Sequence, residues 1–222
     1  MGRLVAVEGL DGSGKRTLVG RVVADLEADG LRVATLAFPR YGASIHADLA
    51  AEALRGEHGD LAGSAEAMAL LFALDRAGAA SDLRSALDAH DVVLLDRYVA
   101  SNAAYGAARA HQHADGAFAT WIGVLEFDRL QAPAPDLQIL LDVPVELAAE
   151  RARRRGEADE ARALDAYERD GDLQQGTAAV YRELATRQWR GEWWSVAPGS
   201  VGPGSEPALL GKRMAQWMGH GR

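Results

Sequence analysis

An α/β domain, with a parallel sheet covered by helices, is the fold class that the sequence of 222 residues predicts. Three observations predict it. Five short apolar runs recur along the chain, at residues 3–7, 31–38, 91–96, 137–143 and 193–198. Each is apolar at successive positions, the pattern of strands buried on both faces. Between them lies alanine-rich, helix-forming sequence, and strands alternating with helices imply parallel pairing.

The elements follow in order. "RLVAV" is the first strand, and "EGLDGSGKRT" (residues 8–17) is the turn that leaves it. Gly9, Gly14 and Lys15 fit the phosphate-binding pattern G-x-x-x-x-G-K-[ST], with Arg16 where the hydroxyl residue is expected. The glycines let the backbone curl so that successive N–H groups face phosphate oxygens, and Lys15 reaches the β- and γ-phosphates. Behind the loop, Leu18, Val22 and Leu26 share one helical face, and Gly30 signals the end of that helix. The second strand runs into "FPRYG" (residues 38–42). The third, "VVLLDRY", places Asp96 and Arg97 at a strand's carboxyl end, where open α/β sheets bind ligands. An Asp there suits handling of Mg²⁺ through water or the cap of the next helix, and an Arg suits a fork of donors to phosphate or a structural ion pair. "LQILLDV" and "WWSVAP" complete the set. A loop at residues 198–207 precedes a last helix, at about 206–218, with Leu210, Met214, Trp217 and Met218 on one face. No linker or repeat divides the chain, so residues 1–222 read as one domain.

Composition narrows the function. There are 24 Lys and Arg against 32 Asp and Glu, a net charge of -8. That argues against nucleic acid as a partner, which needs a basic face, but leaves room for a mononucleotide in a local basic pocket. With no cysteine, disulfides and thiolate zinc sites are excluded. No long uncharged apolar segment and no signal peptide can be read, so the expectation is a soluble cytoplasmic protein without a membrane partner.

Taken together, "EGLDGSGKRT", "FPRYG", "LFALDRAG" (residues 71–78), "DRYVASNAAYG" (96–106) and the arginine-rich stretch at 150–170 resemble the thymidylate kinases, and they do so in that family's order. The resemblance implies a five-stranded parallel sheet with helices on both faces, a P-loop nucleotide kinase fold with a mobile lid, and a homodimer. It implies transfer of phosphate from ATP, with Mg²⁺, to dTMP. Gly9, Leu10, Asp11, Gly12, Ser13, Gly14, Lys15, Arg16 and Thr17 would hold ATP. Phe72 would stack on thymine, Arg76 would donate to a base carbonyl, and Asn102 would help read the base edge. Tyr105 would exclude a ribose 2′-hydroxyl. Arg97 and Arg40 would hold the acceptor phosphate, with Phe38 and Tyr41 along that side and Tyr167 covering it from the end of the lid. Asp11 would meet Arg97 or a metal ion, with Asp96 and Glu168 as further metal candidates.

Arg16 and Gly106 depart from the family's pattern. Arg16 removes a metal-binding hydroxyl, leaving Mg²⁺ to the phosphates, water and Asp96; Gly106 stands where many members have Gln, so one contact near the base is missing. The lid, about residues 148–162, carries Arg151, Arg153, Arg154, Arg155 and Arg162. Gly12 stands where some members place an Arg within the loop, so the mobile arginine is expected from the lid, as in the bacterial arrangement. Arg151 and Arg155, at i and i+4 on one helical face, are the catalytic candidates beside Lys15 and Arg97. His111 and His113 read as surface residues. A nucleotide-binding switch would show a guanine-reading N-K-x-D segment, and the chain has none.

Overall fold

The computed structural model describes residues 1–158, 165–197 and 206–219. Five strands form one parallel sheet, β1 (Arg3–Glu8), β2 (Val33–Ala37), β3 (Val92–Asp96), β4 (Leu137–Leu141) and β5 (Glu192–Val196), in the order β2-β3-β1-β4-β5. Every pairing is parallel, and Val7 sits opposite Asp96 at the carboxyl end of the central pair. The chain moves from β1 to one side and later to the other, so the sheet's switch point lies beside β1, above its carboxyl end.

The continuous apolar runs are explained by two cores. Leu4 and Ala6 of β1 point to one face and Val5 and Val7 to the other, and all four are buried. On the first face they meet α3 (Ala65–Ala89), α4 (Val99–Arg109), α5 (Ala117–Gly123) and α8 (Gly171–Thr186). On the second they meet α1 (Lys15–Ala28) and α9 (Glu206–Gly219), where Leu210 and Met214 are fully buried. Each fully buried Leu or Ile contributes roughly 2 kcal/mol relative to exposure. A third, smaller cluster joins α2 (Ile45–Leu54) to the start of α3 through Ala50, Ala53, Leu54 and Met68, with Phe72 and Tyr167 packed against it.

Helix ends follow local chemistry. α1 closes with Gly30 at φ 83°, its N–H on the Glu27 carbonyl, and the Leu31 N–H on the Leu26 carbonyl. This paired C-terminal motif brings Leu31 back onto the core. Ser64 caps α3 by accepting the Ala67 N–H at 3.1 Å. Small residues let α4 lie close to α8: a Cβ on Gly176 would stand 3.3 Å from that of Ala108. The arginine-rich stretch begins as α6 (Val145–Ala158) and resumes as α7 (Ala166–Arg169) behind a capping box of Asp165 and Glu168. Arg162 lies outside the described residues.

Candidate active site

At the carboxyl end of β1 the backbone turns sharply. Gly9, Gly12 and Gly14 have φ of 141°, 76° and 98°, conformations open to glycine and costly for other residues. Gly12 is also needed for space, since a Cβ there would stand 2.0 Å from the Ala148 carbonyl oxygen of α6. An arginine at this loop position would collide with α6. Gly14 starts α1 without a side-chain cap, and the first turn holds no acidic residue. The first N–H groups of α1 therefore present an uncompensated positive end, suited to an anion.

Lys15 is buried and folds back, its ammonium donating to the carbonyls of Gly9 (3.1 Å) and Leu10 (2.8 Å). Burial and the neighbouring Arg97 charge push it down to about 8, against the pull of Asp11, Asp96 and Glu8. The Ser13 hydroxyl is buried in the loop without a hydrogen-bond partner. Arg16 and Thr17 stand exposed at the rim.

A cavity of about 720 Å³ opens from this loop. Gly12, Gly14, Lys15, Arg16 and Thr17 of the loop and α1 line it. Phe72, Arg76 and Asn102 of α3 and α4 line it too, as do Phe38, Tyr41 and Tyr167. Asp11, Asp96, Arg97 and Tyr105 lie on its wall, and Arg151 and Arg155 of α6 and Glu168 of α7 line it as well. Gly9, Leu10 and Ser13 are not on the cavity surface, and neither is Arg40. The Arg40 guanidinium is turned onto Asp75, donating to its carboxylate at 2.8 Å and its carbonyl at 2.7 Å, and Gly78 leaves room for it.

Arg97 ties the wall together. It donates to Asp11 at 2.7 Å, to Ser101 at 3.1 Å, and to the hydroxyls of Tyr105 and Tyr181 at 3.4 Å. Tyr105 in turn donates to Asp11 at 3.1 Å. Burial disfavours the Asp11 charge, but Arg97 and then Lys15 outweigh it and hold the carboxyl well below its usual range. The Tyr105 ring lies over that of Tyr167, centroids 6.0 Å apart and planes 16° apart. Arg109 holds Tyr167 through its hydroxyl and lies over its ring.

The apolar end contains a buried ion pair that sequence reasoning missed. Arg76 makes a forked contact with Glu126, at 2.5 and 2.7 Å, and Asn102 donates to the same carboxylate at 2.9 Å and to the Ala69 carbonyl at 2.9 Å. Glu126 sits in a π-helical segment, Val124–Arg129, a widened turn that recurs at functional sites. An isolated acid within the apolar "IGVLEF" was its only signal. Asp75, Glu8 and Arg109 were also passed over as supports.

On α6, Arg155 pairs with Glu168 of α7, while Arg154 pairs with Glu150 and Arg153 lies 4.0 Å from Glu157 along the helix. Burial and the Asp11 charge raise the Glu168 carboxyl, with Arg155 opposing. Gly106 has its own reason: a Cβ would stand 1.9 Å from the Phe118 ring, which fills the space a Gln would need. His113 is exposed and bonds Glu183 at 2.8 Å, away from the cavity.

The thymidylate kinase family model matches residues 7–196. The chain belongs to the thymidylate kinase family. Among relatives of this kinase, the thymidylate kinase of Mycobacterium tuberculosis is 58% identical over 207 residues, covering 93% of this chain and 96% of that protein. A probable thymidylate kinase of Archaeoglobus fulgidus is 37% identical over 73% of this chain and 75% of its own. The solved thymidylate kinase of Candida albicans shares the fold, with a TM-score of 0.68 at 22% identity, over 99% of this chain and 92% of that one. Thymidylate kinases use ATP as phosphoryl donor.

Proposed function

We propose that this thymidylate kinase transfers the γ-phosphoryl group of ATP to dTMP, giving dTDP for thymidine nucleotide synthesis, and that the residues around this cavity divide the work. The observation that carries the reading is the position of Arg97, which lines the same cavity as Lys15, Phe72 and Asn102 and contacts both Asp11 of the glycine loop and Ser101 of α4. A cation there draws two anionic phosphates together, which is most of what such a reaction asks of a protein.

The N–H groups of residues 12–17 and Lys15 hold the donor phosphates, and Arg97 holds the acceptor phosphate. Thymine lies on Phe72. The Asn102 amide N–H groups are engaged by Ala69 and Glu126, so its carbonyl oxygen is the acceptor for the base's ring N–H. Arg76, fixed by Glu126, donates to a base carbonyl. The Tyr105 ring, held between Arg97 and Tyr167, is a wall where a 2′-hydroxyl would stand. Arg40, clamped on Asp75, supports the Phe38–Tyr41 side. Arg151 and Arg155 neutralise charge on the transferred group when the lid closes.

Asp11, Asp96 and Glu168 offer oxygen ligands only, the hard donor set that suits Mg²⁺. Asp11 and Glu168 are each paired with an arginine, and the three are not among the carboxylate groups clustered tightly enough to cage an ion in the described residues. That fits an ion carried mainly by phosphate and water, with Asp96 as its nearest protein support. When bound it would neutralise charge on the donor phosphates.

The test compares dTMP with thymidine as acceptors in a coupled ADP-release assay. dTMP turns over well; thymidine, which gives Arg97 no anion, does not. Comparable rates for the two would end this reading.

A further inference from the structure

Glu8 is fully buried at the end of β1, where the glycine loop begins, and none of the roles above uses it. A carboxyl group removed from water is costly unless donors satisfy its oxygens. Here the donors all belong to the surroundings of Arg97. Oε1 accepts the backbone N–H of Tyr98 at 2.8 Å. Oε2 accepts the Ser101 hydroxyl at 2.6 Å and the Tyr181 hydroxyl at 3.1 Å. Those hydroxyls lie 2.7 Å apart, and each accepts from the same Arg97 nitrogen, Nη1, at 3.1 and 3.4 Å. The guanidinium thus rests on the carboxyl through two hydroxyl groups.

The backbone is held from the same place. Arg97 has φ of 65°, the left-handed region that a residue with a Cβ rarely adopts. Its own N–H donates to the Val7 carbonyl at 3.0 Å, and the next N–H, of Tyr98, goes to the Glu8 side chain. Both peptide groups flanking the unusual turn are therefore fastened to the last two residues of β1. Such a conformation persists where the surroundings over-determine it.

We propose that Glu8 is the positioning residue of Arg97, fixing both its left-handed backbone and its guanidinium and so the place where the acceptor phosphate is held. This rests on Arg97 being the ligand of that phosphate. A carboxyl that only filled the core would govern stability and leave the affinities for acceptor and donor in their usual ratio.

Glu8→Gln tests this, because it keeps the volume but puts an NH2 group where Oε2 receives two hydroxyls. Ser101→Ala removes one link and leaves Glu8 in place. Calorimetry gives the Kd of dTMP and of ATP for each variant, and again for Glu8→Gln combined with Arg97→Ala. The expected result is that Glu8→Gln weakens dTMP about tenfold, the scale of one lost charge-assisted hydrogen bond, while ATP changes less than about twofold. Ser101→Ala should move dTMP in the same direction by less. In the Arg97→Ala background the Glu8 change should have little further effect on dTMP, because its route is gone. Equal weakening of dTMP and ATP, or full additivity with Arg97→Ala, would overturn the assignment. If Glu8→Gln fails to fold, Ser101→Ala carries the same comparison, and an unchanged dTMP affinity there overturns it. Normal dTMP binding by Arg97→Ala itself would instead sink the role of Arg97 in the acceptor site.

Discussion

Lys15 shows how one residue can carry a measurable consequence. Its ammonium is held among carbonyls with its pKa at about 8, against an ordinary 10.5, because burial and Arg97 both disfavour the charge. The sign for folding follows. Below about 8 the folded protein carries a charge it disfavours, and this contribution costs stability. Stability is regained as pH rises through the interval between the two values. For ATP the sign is opposite, since the triphosphate favours the ammonium. Raising the pH from 7 to 9 should weaken ATP binding roughly tenfold and bring uptake of close to one proton per ATP, seen by calorimetry in buffers of different ionisation enthalpy. Binding that is flat across that range would place Lys15 away from the phosphates. Arg97 offers no such window: Asp11 and the tyrosine hydroxyls oppose the burial penalty and keep it charged.

At the scale of elements, α6 touches the glycine loop at one end and α7 at the other. Its early turns press on Gly12, while Arg155 reaches Glu168 at the start of the next segment. The Nε of Arg155 is buried without a partner, so the pairing leaves one donor of the fork unsatisfied. A phosphate oxygen would satisfy it. Arg155→Ala should therefore lower kcat by roughly 10²-fold or more while the KM for ATP moves little, since the contact forms chiefly as charge spreads in the transition state. Arg151→Ala should act in the same direction. A double variant with unchanged kcat would make these arginines ordinary surface charge. The strands and the glycine loop were legible in the sequence because their signals are local: successive apolar residues for β1 and β3, glycine spacing for the turn. The choice of partner along α6 was not, because Arg151 to Arg155 look alike until α6 is laid against Glu168. Glu126 was hidden for the same reason. Its meaning depends on Arg76 and Asn102, far away along the chain and brought to it by α3 and α4.

At the scale of the molecule, the question is how a chain with net charge -8 would meet a second copy of itself. α3 turns Phe72, Arg76 and Asn102's support toward the cavity, and on its outer side leaves Leu70 41% and Leu74 37% exposed, one turn apart. Val124, 40% exposed, lies on the π-helical segment that packs against α3. Apolar groups grouped on one helical face are better covered than left in water, and we propose that this face is where a homodimer forms. Two acidic copies repel at long range, so the association should depend on the apolar contact and tighten as salt screens the charge. Sedimentation velocity should find a dimer that Leu74→Glu converts to monomer at the same concentration. Because α3 also carries Phe72 and Arg76, the monomeric variant should lose dTMP affinity while ATP affinity stays as before. A wild-type monomer, or a Leu74→Glu variant that remains dimeric, would remove this face from consideration and return Leu70 and Leu74 to the ordinary apolar share of a protein surface.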